Sequence, residues 1–431
     1  MFWKFFKSPA APKQAETLPH NDLPPALALD FLQQLIPIGK LPAAELLALN
    51  ASLRSFEPGQ IIFKRGESTE SLSYLYSGNV FLESANGSGY SVEEKTFKAY
   101  YPLSAHAEHQ FSAIAKSHSQ IAYLPLSALQ HGAQTALVNN PLINEDDIPP
   151  GLSNSEFFTG FCAAFRRDDL QVPTLPDVAI RLRRALQQDI GIADAAKIVN
   201  LDSVIASKLI QVANSPLYRA INPISNSHDA INRLGLRTTQ NLVTSISLHS
   251  LFRSNNKQLH NRVQQIWKQS IQVASLSHTL ANLTRTINPD EALLAGLTHN
   301  IGALPIITYA ENLKSTPYTE QDLDATLLVL QGLVGNYILK KWAFPEHLQQ
   351  IPNQSSHWYH DDNPILQPGD IVLLARFHAL LGGPSGQKLP PLHTLPAFTK
   401  LGERALTPDM SLQALQEAKQ QIAEAVSFFR S

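Results

Sequence analysis

The chain has 431 residues, 44% hydrophobic and 16% charged, with a formal net charge of −2. That length predicts two or three domains, each able to bury its own core, and the near-neutral balance argues against a broad electrostatic footprint for nucleic acid. A single cysteine, Cys162, excludes an internal disulfide and a cysteine-rich metal site. Beside Phe157, Phe158 and Phe161 this thiol reads as a small core hydrophobe, and it fits a reducing, cytoplasmic setting. No uninterrupted apolar run reaches the roughly 18 residues a membrane span needs. The aromatic start, Met1 to Lys7, is too short for a signal-peptide core.

Residues 1–24 carry repeated prolines and read as a flexible lead-in. Helical spacing begins at Leu27, Phe31, Leu32 and Leu35, breaks at Pro37-Ile38-Gly39, and resumes from Pro42 to about Leu49. The period then changes. A turn-strand-turn pattern over 56–67 and short alternating runs at 72–82, 90–95 and 121–124, separated by glycine turns, predict a small β-roll over residues 25–138. Pro58-Gly59, Arg65-Gly66-Glu67 and Leu75-Tyr76-Ser77-Gly78 resemble the cyclic-nucleotide-binding domain family in order and spacing. That resemblance implies a Gly-Glu pair for a ribose hydroxyl near Tyr100-Tyr101 and a phosphate-binding Arg near Phe111. Neither is present, and no Arg lies between Arg65 and Arg166. Lys98 and Lys116 stand off the pattern and read as surface charges, so the roll reads as a degenerate scaffold.

Residues 139–155, with Glu145-Asp146-Asp147 and Pro149-Pro150-Gly151, predict an interdomain linker. From 156 to 383 the pattern is almost wholly helical. Its signature runs are Ile198-Val199-Asn200-Leu201-Asp202, Val212-Ala213-Asn214-Ser215, Ala230-Ile231-Asn232-Arg233-Leu234-Gly235, Trp267-Lys268-Gln269-Ser270, and Glu291 to Gly302. Asn232 is expected on a buried helix face, and Gly302 is expected to release the backbone after the helix. This ordered series resembles an HDOD domain, a relative of the HD superfamily of metal-dependent phosphohydrolases. A proline-rich connector and a final amphipathic helix, Ser411 to Phe429, complete the chain over 384–431. That helix fits either packing onto the domain or a homodimer contact.

The HD resemblance implies a metal held by a His near Gln269, an adjacent His-Asp pair and further His residues. Here the pair is His299-Asn300, Gln269 replaces the first His, and Gly332 occupies a later His position. Carboxylate and imidazole together suit divalent metals, whereas a neutral amide is a poor substitute. His357-Trp358-Tyr359-His360-Asp361-Asp362 offers ligand types at close spacing, yet reads as a titratable surface loop; His278 can face inward. Arg181, Arg183 and Arg184 read as solvated, and Lys340-Lys341 beside Trp342 is a weak phosphate signal.

The sequence therefore predicts a β-roll followed by an all-α HDOD bundle, acting in bacterial signal transduction by binding and not as an enzyme. The candidate cleft is His299, Asn300, Gln269 and Asn214, with no catalytic residue, cofactor or metal assigned. The expected partner is another regulatory protein or a small ligand, with no direct nucleic-acid contact and no membrane span. One alternative is a divergent phosphohydrolase using His299, Asn300, His357 and His360 as metal ligands. The other is a cyclic-nucleotide or cyclic-dinucleotide sensor.

Overall fold

The computed structural model describes residues 27–128, 152 and 154–401, with short gaps within 85–88, 105–107, 216–221, 255, 286, 314–317, 362 and 382–388. The expected lead-in, most of the expected linker and the expected final helix lie outside the described residues.

Two short helices, α1 (Leu29–Leu32) and α2 (Ala43–Ala48), precede seven strands: β1 (Ser52–Phe56), β2 (Ile61–Phe63), β3 (Ser71–Ser77), β4 (Asn79–Glu83), β5 (Gly89–Glu93), β6 (Ser112–Ala115) and β7 (Ser119–Pro125). They form two antiparallel sheets, ordered β1-β7-β3 and β2-β6-β4-β5. Side-chain alternation splits β3 and β7 between two cores. Leu72, Tyr74, Ala122 and Leu124 face α1 and α2, with Leu72 opposite Leu124 and Tyr74 opposite Ala122. Leu75 and Ile121 point the other way, meeting Phe63, Val80, Leu82 and Val92 between the sheets. The β-roll is thus in place, and β3 and β7 carry buried residues on both faces.

The helical half comprises α3 (Glu156–Arg166), α4 (Asp177–Leu186), α5 (Ile192–Val199), α6 (Ser203–Ala213), α7 (Ser227–Leu234), α8 (Leu236–His249), α9 (Lys257–Thr284), α10 (Pro289–Thr298), α11 (Ala303–Asn312), α12 (Glu320–Lys341), α13 (Glu346–Gln349), α14 (Ile351–Gln354), α15 (Pro368–Leu381) and α16 (Pro396–Thr399). Local chemistry sets several starts. Asp202, Asn226 and Asn288 cap α6, α7 and α10, and Thr319 with Asp322 forms a capping box on α12. The stretch from Pro289 to Asn312 is long and apolar enough to cross a membrane by length and composition, but 78% of its most apolar window is buried in the bundle. It is a core element. Asn232, expected to be buried, is exposed on α7.

The segment after α15 is no loose connector. Residues 389–401 pack between the two halves: His393 lies 4.3 Å from the Phe111 ring and within 3.4 Å of the Tyr90 hydroxyl. Tyr101 stacks on Tyr359 at 6.2 Å, and the Tyr359 hydroxyl meets Thr394 at 2.8 Å. The positions at which the roll's family resemblance implies ligand contacts, Tyr101 and Phe111, are therefore occupied by side chains of the helical half. Lys98 and Lys116 sit over the rings of Tyr90 and Phe81. Truncating this stack is expected to be costly. Tyr101→Ala should lower stability by about 3 kcal/mol, and Tyr359→Phe by about 1 kcal/mol, in urea denaturation of the full chain. Unchanged midpoints for both would show that the two halves do not pack as described.

Candidate functional site

The His299-Asn300 pair stands where α10 ends, and α10 is fixed along its whole length. At its start the Asp290 carboxylate accepts from Tyr218 and Thr238, at 2.7 and 2.8 Å. Glu291, buried, accepts from Arg237 at 2.8 Å and meets His347 at 2.6 Å. In the middle, Gly296 lies against the backbone of Ala274 on α9, and any Cβ there would collide with it. Gly302, just beyond the pair, does the same against Gln331 and Gly335 of α12. Its φ is −66°, an ordinary helical value, so close approach and not a backbone release explains this glycine.

His299 is 3% exposed, and its Nδ1 donates to the Gly296 carbonyl at 2.6 Å. A carbonyl only accepts, so the proton is on Nδ1 and Nε2 carries the lone pair. Burial, with a lesser push from the nearby Arg376 guanidinium, holds the imidazole pKa down to about 3. His299 is neutral in any ordinary buffer.

The pair opens onto a cavity of about 430 Å³. One face of α9 contributes Arg262, Gln265, Gln269 and Gln272, α12 contributes Asp324 and Gln331, and α15 contributes Arg376. Gln269, His299 and Asn300 therefore share one wall, as the sequence suggests. Asn214 does not. Its side-chain amide donates to the Ile224 carbonyl and accepts from the Ile224 amide, both at 2.7 Å, closing the loop between α6 and α7. His357 and His360 are also absent from the cavity wall. The stretch read as a surface loop is only partly exposed: Tyr359 and His360 are buried, His357 and Trp358 are half-buried, and His357 Nδ1 bonds the Asn353 carbonyl at 2.8 Å. His278 does face inward, with Nδ1 3.2 Å from the Asn282 amide, within its own helix.

Two residues central to the cavity's charge were not singled out by sequence. Arg262 pairs with Asp324, cancelling the one carboxylate on the wall. Arg376 donates from Nη1 to the Ser355 carbonyl at 2.6 Å and lies over the Trp358 ring. Among the described residues no carboxylate pairs with it, and burial pulls its pKa down to about 10. The readable signal was a lone cation inside the apolar run from Ile371 to Leu381.

A divalent metal does not fit this donor set. His299 offers one nitrogen, Asn300 a neutral amide, Asp324 is already neutralised, and a guanidinium stands beside the imidazole. Among the described residues, no group of three or more His, Cys, Asp or Glu is placed to hold a metal ion.

The HDOD family model matches residues 172–357. Residues 172–357 are an HDOD domain. A crystal structure of a candidate metal-dependent phosphohydrolase from Shewanella amazonensis SB2B is 28% identical and has a TM-score of 0.54, covering 62% of this chain and 98% of that one. A protein of Treponema pallidum (strain Nichols) is 25% identical over 198 residues, 42% of this chain and only 37% of that relative's length. The N-terminal quarter is similar to the sensor domain of the transcriptional regulator DNR from Pseudomonas aeruginosa, with 19% identity and a TM-score of 0.23 over 25% of this chain and 81% of that one.

The depressed His299 pKa has a thermodynamic consequence. Between about pH 6.5 and 3 the unfolded chain binds a proton at this residue and the HDOD domain does not, so stability falls as pH falls. The slope from this group should approach about 1.4 kcal/mol per pH unit below pH 6. Urea titrations from pH 7 to 4.5 are expected to show a shallower acid loss for His299→Gln than for the wild type. Parallel slopes would mean that the imidazole is not buried and neutral.

Proposed function

We propose that this chain is a regulatory protein of bacterial signal transduction whose HDOD domain works by binding a small ligand or a regulatory partner, without hydrolysis. The observation that carries this reading is the Arg376 guanidinium on the same cavity wall as His299. Metal-dependent phosphoester hydrolysis needs a cluster of anionic and imidazole donors that concentrates divalent cations and generates hydroxide. Here the wall carries two guanidinium groups against one carboxylate, and that carboxylate is already paired. Such a surface repels a dication at close range. Its amides from Gln265, Gln269, Gln272, Gln331 and Asn300 supply hydrogen bonds of both polarities, and its volume suits a small organic molecule. The β-roll adds no nucleotide site in this reading, because Tyr101 and Phe111 are spent on the helical half.

The similarity to a candidate phosphohydrolase gives the competing reading its substance, and one experiment separates the two. The full chain is purified without chelator, its iron, manganese and zinc are measured, and hydrolysis of bis-p-nitrophenyl phosphate is followed with each metal added. The expected result is substoichiometric metal and no hydrolysis above blank, for the wild type and for Asn300→Asp alike. Stoichiometric metal together with turnover in the wild type would overturn the binding-only reading.

A further inference from the structure

The second cavity of the helical half, about 420 Å³, lies between α4 and the C-terminal end of α12, away from His299. Arg183 and Arg184 on α4 and Lys341 with Trp342 at the end of α12 line it, residues that look unrelated along the chain. Arg183 is buried, with 8% of its surface exposed, contrary to the solvated reading of the arginine cluster. Its Nη1 donates to the Trp342 carbonyl at 2.8 Å, and the guanidinium lies 3.9 Å over the Phe344 ring. Those contacts have a local origin. The end of α12 closes with Ala343 N–H on the Lys340 carbonyl and Phe344 N–H on the Leu339 carbonyl, at 2.9 and 3.0 Å. Ala343 takes φ of 53° in this turn, where glycine is the usual occupant, and the turn folds Phe344 back beneath Arg183.

A helix-terminal carbonyl and an aromatic face stabilise a cation without cancelling its charge. Among the described residues no carboxylate pairs with Arg183, and its buried Nε has no hydrogen-bond partner. Leaving a buried guanidinium unpaired is costly, and a helix-capping role accounts for Nη1 only. At the cavity rim Arg184 is exposed, and the exposed Lys341 reaches Asp168 at 2.7 Å. Beside these three cations, Val172, Ile180 and Trp342 supply apolar lining.

We propose that this cavity is a binding site for a small organic oxyanion, with its charge set against Arg183, Arg184 and Lys341 and its carbon frame against Val172, Ile180 and Trp342. Guanidinium forks suit phosphate and carboxylate equally well, so the shared chemistry is an oxyanion on an apolar body. Lys341 exchanges Asp168 for the ligand on binding. The site is separate from the His299 cavity and does not depend on whether that cavity binds or hydrolyses.

The test is isothermal titration calorimetry on the full chain in phosphate-free buffer of low ionic strength, with phenyl phosphate, benzoate and the neutral benzyl alcohol as probes. The expected result is saturable binding of at least one anion and none of benzyl alcohol; which anion binds identifies the source chemistry. Because Arg183 variants risk misfolding, the decisive variant is Arg184→Gln/Lys341→Gln, which alters exposed positions only. It should weaken binding by about tenfold or more, whereas Lys340→Gln, one residue outside the cavity, should not. Equal affinity in the wild type and the double variant, or no saturable binding of either anion at millimolar concentration, would overturn the proposal.

Discussion

The helical half depends on how closely α10 can approach its neighbours. Gly296 lets the backbone of α9 come into direct contact, and Gly302 does the same for α12. A methyl group at either position would force apart helices that share one buried core, to which Leu294, Leu297, Ile301, Leu330 and Val334 belong. The four polar contacts at Asp290 and Glu291 then fix the rotation of α10 about its axis. Because the rotation is fixed at one end, His299 at the other faces the cavity and its Nδ1 has only the Gly296 carbonyl to serve.

The two cavities described in the helical half share a physical theme. Each holds an arginine that donates to a main-chain carbonyl and lies against an aromatic ring, Arg376 with Ser355 and Trp358, Arg183 with Trp342 and Phe344. In neither case does a carboxylate of the described chain balance the charge. Such guanidinium groups are held firmly in place by packing while their electrostatic demand is unmet. The domain is in this sense pre-organised for anionic or strongly hydrogen-bonding company, and poorly suited to a naked dication.

Most of the architecture was legible because it rests on short-range periodicity. Alternation in 72–75 and 121–124 marks strands with two buried faces, and the ordered helical runs from Ile198 to Gly302 mark the HDOD bundle. Adjacent residues such as His299 and Asn300 were equally readable, since sequence neighbours at a helix end stay neighbours in space. Most of the failures come from contacts that local periodicity does not announce, although Asn232 was misplaced on its own helix. Arg183 was judged by its residue type, but the carbonyl and ring that bury it come from 342 and 344, more than a hundred residues on. Asn214 looked like a cleft residue, and its amide is consumed by Ile224 across a loop whose closure no local pattern announces. His360 looked solvated because titratable His and Asp side chains crowd the stretch, yet it is buried among elements that meet only in three dimensions.

The seam between roll and bundle has a bearing on synthesis. Tyr90 and His393 are 303 residues apart in the chain. At ordinary translation rates, about 15 to 60 s separate the emergence of the roll from that of the segment that covers it. During that interval Tyr90, Tyr101 and Phe111 lack His393 and Tyr359, and an aromatic patch of the nascent roll faces the solvent and any chaperone within reach. The last contact to form is among those that hold the two halves together, so a chain cut short before residue 389 would leave this patch without His393 and Thr394.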